Sequence, residues 1–191
     1  MIKKKFGPQP MVWPHPTILV GATVDGKPDF AAVAWTGVAA SNPAAVTIAL
    51  QPHRYSLKGI YQNRTFSVNV PSAGLVKETD YCGVVSGSKT DKVAECHFKV
   101  FYGKLETAPL IEQCPVNLEC KVVHILDVGS HELVVGRIEE TYISEECLTD
   151  GRPDVNKIKP FVFAGRQYQA FGEVVGRAFT VRDLTGTMPT A

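Results

Sequence analysis

Residues 17–35, TILVGATVDGKPDFAAVAW, constrain the fold more than any other stretch. Two apolar runs flank Asp25-Gly26, a dipeptide that favours a tight hairpin because glycine tolerates positive φ. Further short runs rich in Val, Ile, Thr and Phe recur down the chain, separated by Gly, Pro, Asn and Asp, the pattern of many strands with few helices.

After Asn42-Pro43, AAVTIALQ reads as another strand. RYSLKGIYQN places Leu57, Ile60 and Tyr61 at one-turn spacing, which predicts an amphipathic helix closed by Asn63. In TFSVNV, Phe66, Val68 and Val70 alternate with Ser67 and Asn69, the signature of a half-buried strand that Pro71 ends. AGLVKETDYCG predicts a short second helix stopped at Gly83. Residues 117–143 read as two long strands joined near 127–130, with Leu118, Cys120 and Val122 alternating against Glu119 and Lys121. The last forty residues mix Pro, Gly and aromatics, which predicts short strands and loops. With no repeat and no long linker, residues 1–191 are expected to form one domain, its core at about 10–175 and a C-terminal extension at 176–191. A mainly β domain of short strands is expected to close into a barrel, because closure removes exposed sheet edges.

Twenty Lys and Arg against nineteen Asp and Glu leave a net charge of +1, too little for the broad basic field of a nucleic-acid binder. The opening MIKKKFGPQP lacks the apolar run of a signal peptide, and no stretch approaches the about 20 apolar residues of a membrane span. A cytoplasmic protein with no nucleic-acid or membrane partner is therefore expected. Five cysteines at irregular spacings without a CxxC pair argue against a disulfide framework and a metal site, and for reduced, mostly buried thiols.

SGSKTDK, residues 86–92, combines hydroxyls, a glycine and two lysines. By itself it reads first as a solvated turn, because Gly, Ser and Asp favour turns and Lys prefers water, and only second as a loop suited to an anion.

In order along the chain, DGKPDFAAVAWTGVAASNP (25–43), HRYSLKGIYQNRTFSVNV (53–70), SGSKTDK (86–92), LEC (118–120) and GSHELVVGRI (129–138) resemble the flavin reductase-like proteins, most closely the flavoredoxin group. The resemblance implies a Greek-key split β-barrel with a few short helices that dimerises and holds FMN near the subunit interface. FMN requires an apolar slot for its ring, hydrogen bonds to the ring edge, and cationic or N–H donors for its phosphate. Trp35 would wall the ring, with Thr36, Gly37 and Asn42 contacting its edge and Phe163 as a second aromatic. Arg54 and Ser56, at the apparent start of a helix, would favour the phosphate, although Ser56 suits an ordinary N-cap as well. From the 86–92 loop, Ser86, Ser88 and Lys92 would join them, with Asp91 orienting a lysine or capping a turn. His131 is the candidate catalytic residue, at the start of a predicted strand near the flavin or the nicotinamide. Asp29 stands where related proteins commonly carry Asn, and an inward carboxylate there would repel phosphate.

The expected function is an FMN-dependent oxidoreductase that accepts hydride from NADH or NADPH and passes electrons to a flavin, a ferric acceptor or a redox protein. No GxGxxG fingerprint occurs, so a nicotinamide would visit an open cleft. The alternative is a non-catalytic FMN electron carrier serving a protein partner.

Overall fold

The computed structural model describes residues 1–178, so most of the extension expected at 176–191 lies outside the described residues. After a short β1 (His15–Pro16), β2 (Ile18–Val24) turns through Asp25 and Gly26 into β3 (Lys27–Val33). Both turn residues take positive φ, 49° and 80°, as a two-residue hairpin of matching twist requires. A second hairpin, β4 (Thr36–Ser41) with β5 (Ala44–Leu50), turns over Asn42-Pro43. Then come α1 (Tyr55–Asn63), β6 (Thr65–Val70), α2 (Val76–Val84) and α3 (Lys92–Glu95). β7 (Val100–Phe101) pairs with β8 (Leu110–Ile111), and β9 (Val116–Asp127) with β10 (Glu132–Ile143) forms the long hairpin. The described chain ends with β11 (Leu148–Thr149), β12 (Arg152–Pro153), α4 (Val155–Ile158), β13 (Phe161–Ala164) and β14 (Gln167–Ala170). β13 pairs with both β14 and β1.

Seven strands form one antiparallel sheet in the order β3-β2-β6-β9-β10-β5-β4. Its two edges, β3 and β4, are consecutive in sequence with only Ala34 and Trp35 between them. Three Cα steps reach about 11 Å at most, so the sheet must curl until its edges approach. The result is a Greek-key barrel split along the β3/β4 seam, and Trp35 stands in that seam.

Phe66, Ile48, Val68, Cys120 and Val134 fill the barrel interior. α1 lies against β2 so closely that a Cβ at Gly59 would stand 2.5 Å from the Thr23 carbonyl oxygen. Arg64, not Asn63, is the left-handed residue that ends α1, at φ 56°; the Asn63 amide donates instead to the Thr23 carbonyl at 2.6 Å. A second apolar cluster of Leu19, Phe30, Cys82, Phe98, Ile111 and Cys114 packs on the outer face of β2 and β3.

That cover corrects the expectation for β6. Ser67 and Asn69, predicted to face solvent, are fully buried. Ser67 donates to the Pro109 carbonyl, while Asn69 donates to Leu19 O at 3.1 Å and accepts from the Ile111 N–H at 2.9 Å. The five cysteines are free, four buried and Cys96 half-buried, and burial pushes the Cys82, Cys114 and Cys120 thiols well above their usual range. Among the described residues, no helix is long and apolar enough to cross a membrane, and no metal-ligating cluster of three or more side chains occurs.

Candidate functional site

Three connected clefts open at the end of the barrel where β3 leaves the sheet. The first, about 360 Å³, is lined by residues 32–34 with Trp35, Gln51, Arg54 and His131. Trp35 is fixed in the seam by its carbonyl, which accepts from the Ala49 N–H at 2.8 Å. His131 immediately precedes β10, and the pairing of Glu132 with Leu50 swings it across to Trp35. Their ring centroids lie 4.4 Å apart with the planes tilted 35°. His131 Nδ1 lies 2.9 Å from the Ser130 hydroxyl. Partial burial, with the nearby charges of Arg54 and His53, holds the imidazole below its ordinary pKa, so the ring is neutral at neutral pH.

Residues 32–34 also floor a second, apolar cleft of about 260 Å³, bounded by Thr17, Val84, Phe163 and Tyr168. Phe163 reaches it because β13 pairs with β1, His15 opposite Phe163. Tyr168 donates to Asp80 at 2.9 Å, and burial together with that carboxylate pushes its phenol up to about 12. Thr17 Oγ1 is buried without a hydrogen-bond partner.

The third cleft, about 140 Å³, joins the first at Arg54 and the second at Val84, and adds His53, Ser56, Ser86 and Lys92. Arg54 is the N-cap of α1 and donates one bond, Nη1 to the Gly83 carbonyl at 2.6 Å. Guanidinium carries five donors, so four remain beyond that bond. Ser56, in the first turn of α1, is fully buried, and its hydroxyl stands beside Asp29 without a hydrogen bond of ordinary geometry. Arg54, not Ser56, occupies the N-cap position, so the capping role expected as the alternative for Ser56 does not apply.

Lys92 lines the same cleft as Arg54 and Ser86 but is already paired. Its side chain is 3% exposed, its ammonium lies 2.9 Å from Asp29, and it also donates to the Phe30 carbonyl. A cation so committed anchors the 86–92 loop on β3 rather than presenting itself to an anion. Burial raises the Asp29 carboxyl above its ordinary pKa against the opposing pull of Lys92. Gly87 seals the arrangement, because a Cβ there would overlap Asp29 Oδ1 and crowd Tyr55. Asp91 caps α3, accepting from the Ala94 N–H at 3.1 Å.

Trp35, His131, Arg54, Ser56, Ser86, Lys92 and Phe163 therefore converge on the clefts. Thr36 and Gly37 step away along β4, where the Thr36 hydroxyl donates to the Thr47 carbonyl at 2.7 Å. Asn42 is exposed at the far tip of the β4/β5 hairpin. At about 3.3 Å per residue it is roughly 20 Å from Trp35, so the two cannot touch one ring within a chain. Ser88 is exposed on the outer side of its loop, its hydroxyl 2.9 Å from that of Ser86. Gln51, His53, Val84 and Tyr168 line the clefts without having been singled out in the sequence; for His53, its place directly before Arg54 at the helix start was the available signal.

Residues 12–172 match the sequence model of the flavin reductase like domain. Among solved structures, the chain is similar to flavoredoxin from Methanosarcina acetivorans, with 39% identity and a TM-score of 0.86 over 93% of this chain and 96% of that one. It is also similar to flavoredoxin of Desulfovibrio vulgaris (Miyazaki F), at 32% identity and a TM-score of 0.87 over 94% and 98%. A protein of Archaeoglobus fulgidus is 30% identical over 145 residues, 76% of this chain and 81% of its own.

Proposed function

The chain belongs to the flavin reductase-like family, and we propose that its three joined clefts hold FMN for hydride transfer from NADH or NADPH to an electron acceptor. The observation that carries this reading is that an aromatic-walled trough and a small cationic cleft adjoin, sharing Arg54 and Val84 in their walls. An isoalloxazine ring suits the first and a phosphate the second. The donor set fits the group: Arg54, His53 and the first-turn N–H groups of α1 suit a dianion, and the orphaned hydroxyls of Thr17 and Ser56 lack partners within the protein.

FMN when bound supplies reversible two-electron chemistry. Arg54 neutralises and orients the phosphate, and its bond to Gly83 O ties that end of the trough to α2. Trp35 and His131, stacked on each other, hold the wall of the ring cleft and keep water from that side. Neutral His131 offers a hydrogen bond at the cleft mouth without adding charge. Val84 and Phe163 cover the opposite end. The edge strand β4 leaves Val38 85% exposed, and the tip of the β9/β10 hairpin exposes Leu126 and Val128; these apolar surfaces support a homodimer, expected to sediment as two chains and contradicted by a single one.

Anaerobic mixing of the FMN-loaded protein with NADH or NADPH tests the activity. Rapid bleaching of the flavin absorbance is expected, and His131→Asn should slow it on the order of tenfold or more while changing FMN affinity little. Bleaching at the wild-type rate in the variant removes His131 from the mechanism. The likeness to flavoredoxins favours a second reading, a non-catalytic FMN carrier for a protein partner; absence of bleaching with either nucleotide would select it.

A further inference from the structure

We propose that a fourth cleft, on the outer side of the 86–92 loop, takes the adenosine monophosphate half of a dinucleotide. This inference rests on the flavin reading above, because it places the other half of that dinucleotide in or over the trough. The cleft encloses about 370 Å³, within the roughly 300–1,000 Å³ of small-molecule sites. It shares Tyr55, Gly87 and Lys92 with the phosphate cleft, so the two adjoin at the 86–92 loop. FAD with its first phosphate beside Arg54 would bring its second past that loop to this cleft, whereas a nicotinamide donor lying over bound flavin would reach it from the solvent side.

The charges of the cleft suit the second phosphate. In the lining, Lys92 and Asp29 offset each other, and the Asp91 carboxylate, which caps α3, keeps its negative charge and is outnumbered by the two remaining lysines. Lys27 and Lys89 remain on the rim, both exposed and neither in an ion pair among the described residues. Two free ammonium groups around a hollow favour an anion. Tyr55 lines the hollow and supplies an aromatic ring for a base, while the Ser88 and Thr90 hydroxyls can exchange hydrogen bonds with a ribose. FMN ends at its single phosphate and leaves all of this unused. The adenylate could belong to FAD bound in the trough or to the nicotinamide donor, and the two sources are separable by experiment.

The test uses the double charge reversal Lys27→Glu/Lys89→Glu, both on exposed side chains, with wild-type protein beside it. Flavin-free samples are titrated with FMN and with FAD, and FMN-loaded samples with ADP-ribose. The expected result is a loss of about tenfold or more in either FAD or ADP-ribose affinity, with FMN affinity unchanged within about twofold, since charge-assisted phosphate contacts carry that scale. Loss confined to FAD assigns the cleft to the flavin's own adenylate, and loss confined to ADP-ribose assigns it to the nicotinamide donor. Equal affinities of wild type and variant for both adenylates overturn the proposal even if FMN binds normally. Failure of wild-type protein to bind FMN overturns the flavin reading, and the inference with it.

Discussion

Lys92→Met is expected to destabilise the protein by about 3–5 kcal/mol, the cost of leaving a buried charge without its partner. The substitution keeps the length of the side chain but strips Asp29 of the ammonium 2.9 Å away, and both residues are only 4% exposed. Adding Asp29→Asn should recover much of the loss, because removing both charges also removes the burial penalty. The pH dependence has a definite sign. Burial already holds the Asp29 carboxyl above 3.8, and without Lys92 it rises further. A carboxyl with a raised folded-state pKa favours the folded state at low pH and loses that contribution as pH rises through the folded value. The deficit of Lys92→Met relative to wild type is therefore smallest in acid and grows toward neutrality. Denaturant unfolding of wild type, both single variants and the double variant across pH measures it. Additive single losses would show that the pair is not coupled.

Glu119→Ala should cost about as much at a site far from the trough. Glu119 is fully buried on β9, and its carboxyl oxygens accept from the N–H groups of Gly103 at 3.1 Å, Lys104 at 2.9 Å and Leu105 at 3.0 Å, and from the Tyr142 hydroxyl at 3.1 Å. Each buried donor left unpaired costs about 1–3 kcal/mol, reduced here because the loop at 103–105 is partly open to water, so a loss of about 3–4 kcal/mol is expected. Glu119→Gln, which turns an NH2 group toward donors, should lose about half of that. Flavin affinity of the folded variants should match wild type. A stability loss below about 1 kcal/mol for Glu119→Ala would mean that the loop is held by other contacts.

Both residues show where sequence reasoning stops. The alternation of Leu118, Cys120 and Val122 against Glu119 correctly puts the first three toward the barrel, yet it cannot report that the opposite face is roofed by the loop at 103–105. The same blindness hid the burial of Ser67 and Asn69 on β6, since a covering segment more than forty residues away leaves no local mark. Lys92 sits in a loop of Ser, Gly and Asp that reads as solvated, and its partner Asp29 is on a strand 63 positions earlier. By contrast, Asp25-Gly26 and the apolar spacing of α1 act through backbone preference within a few residues, so both were legible. So was the convergence of Trp35, Arg54 and His131, through the order of family motifs rather than through any one spacing. Asn42 is carried to the far tip of a hairpin whose near end holds Trp35, so within one chain the two stand too far apart to share a ring, a separation that the sequence does not display.

The central claim is that a flavin occupies the trough with its phosphate at Arg54. Calorimetric titration of flavin-free protein with FMN and with riboflavin, for wild type and Arg54→Gln, tests it most directly. One FMN per chain is predicted, with wild type preferring FMN over riboflavin by about tenfold or more, the scale of a charge-assisted contact, and with Arg54→Gln losing most of that preference while still binding riboflavin. Absence of flavin binding by wild type, or a preference for FMN that survives Arg54→Gln undiminished, would contradict the account.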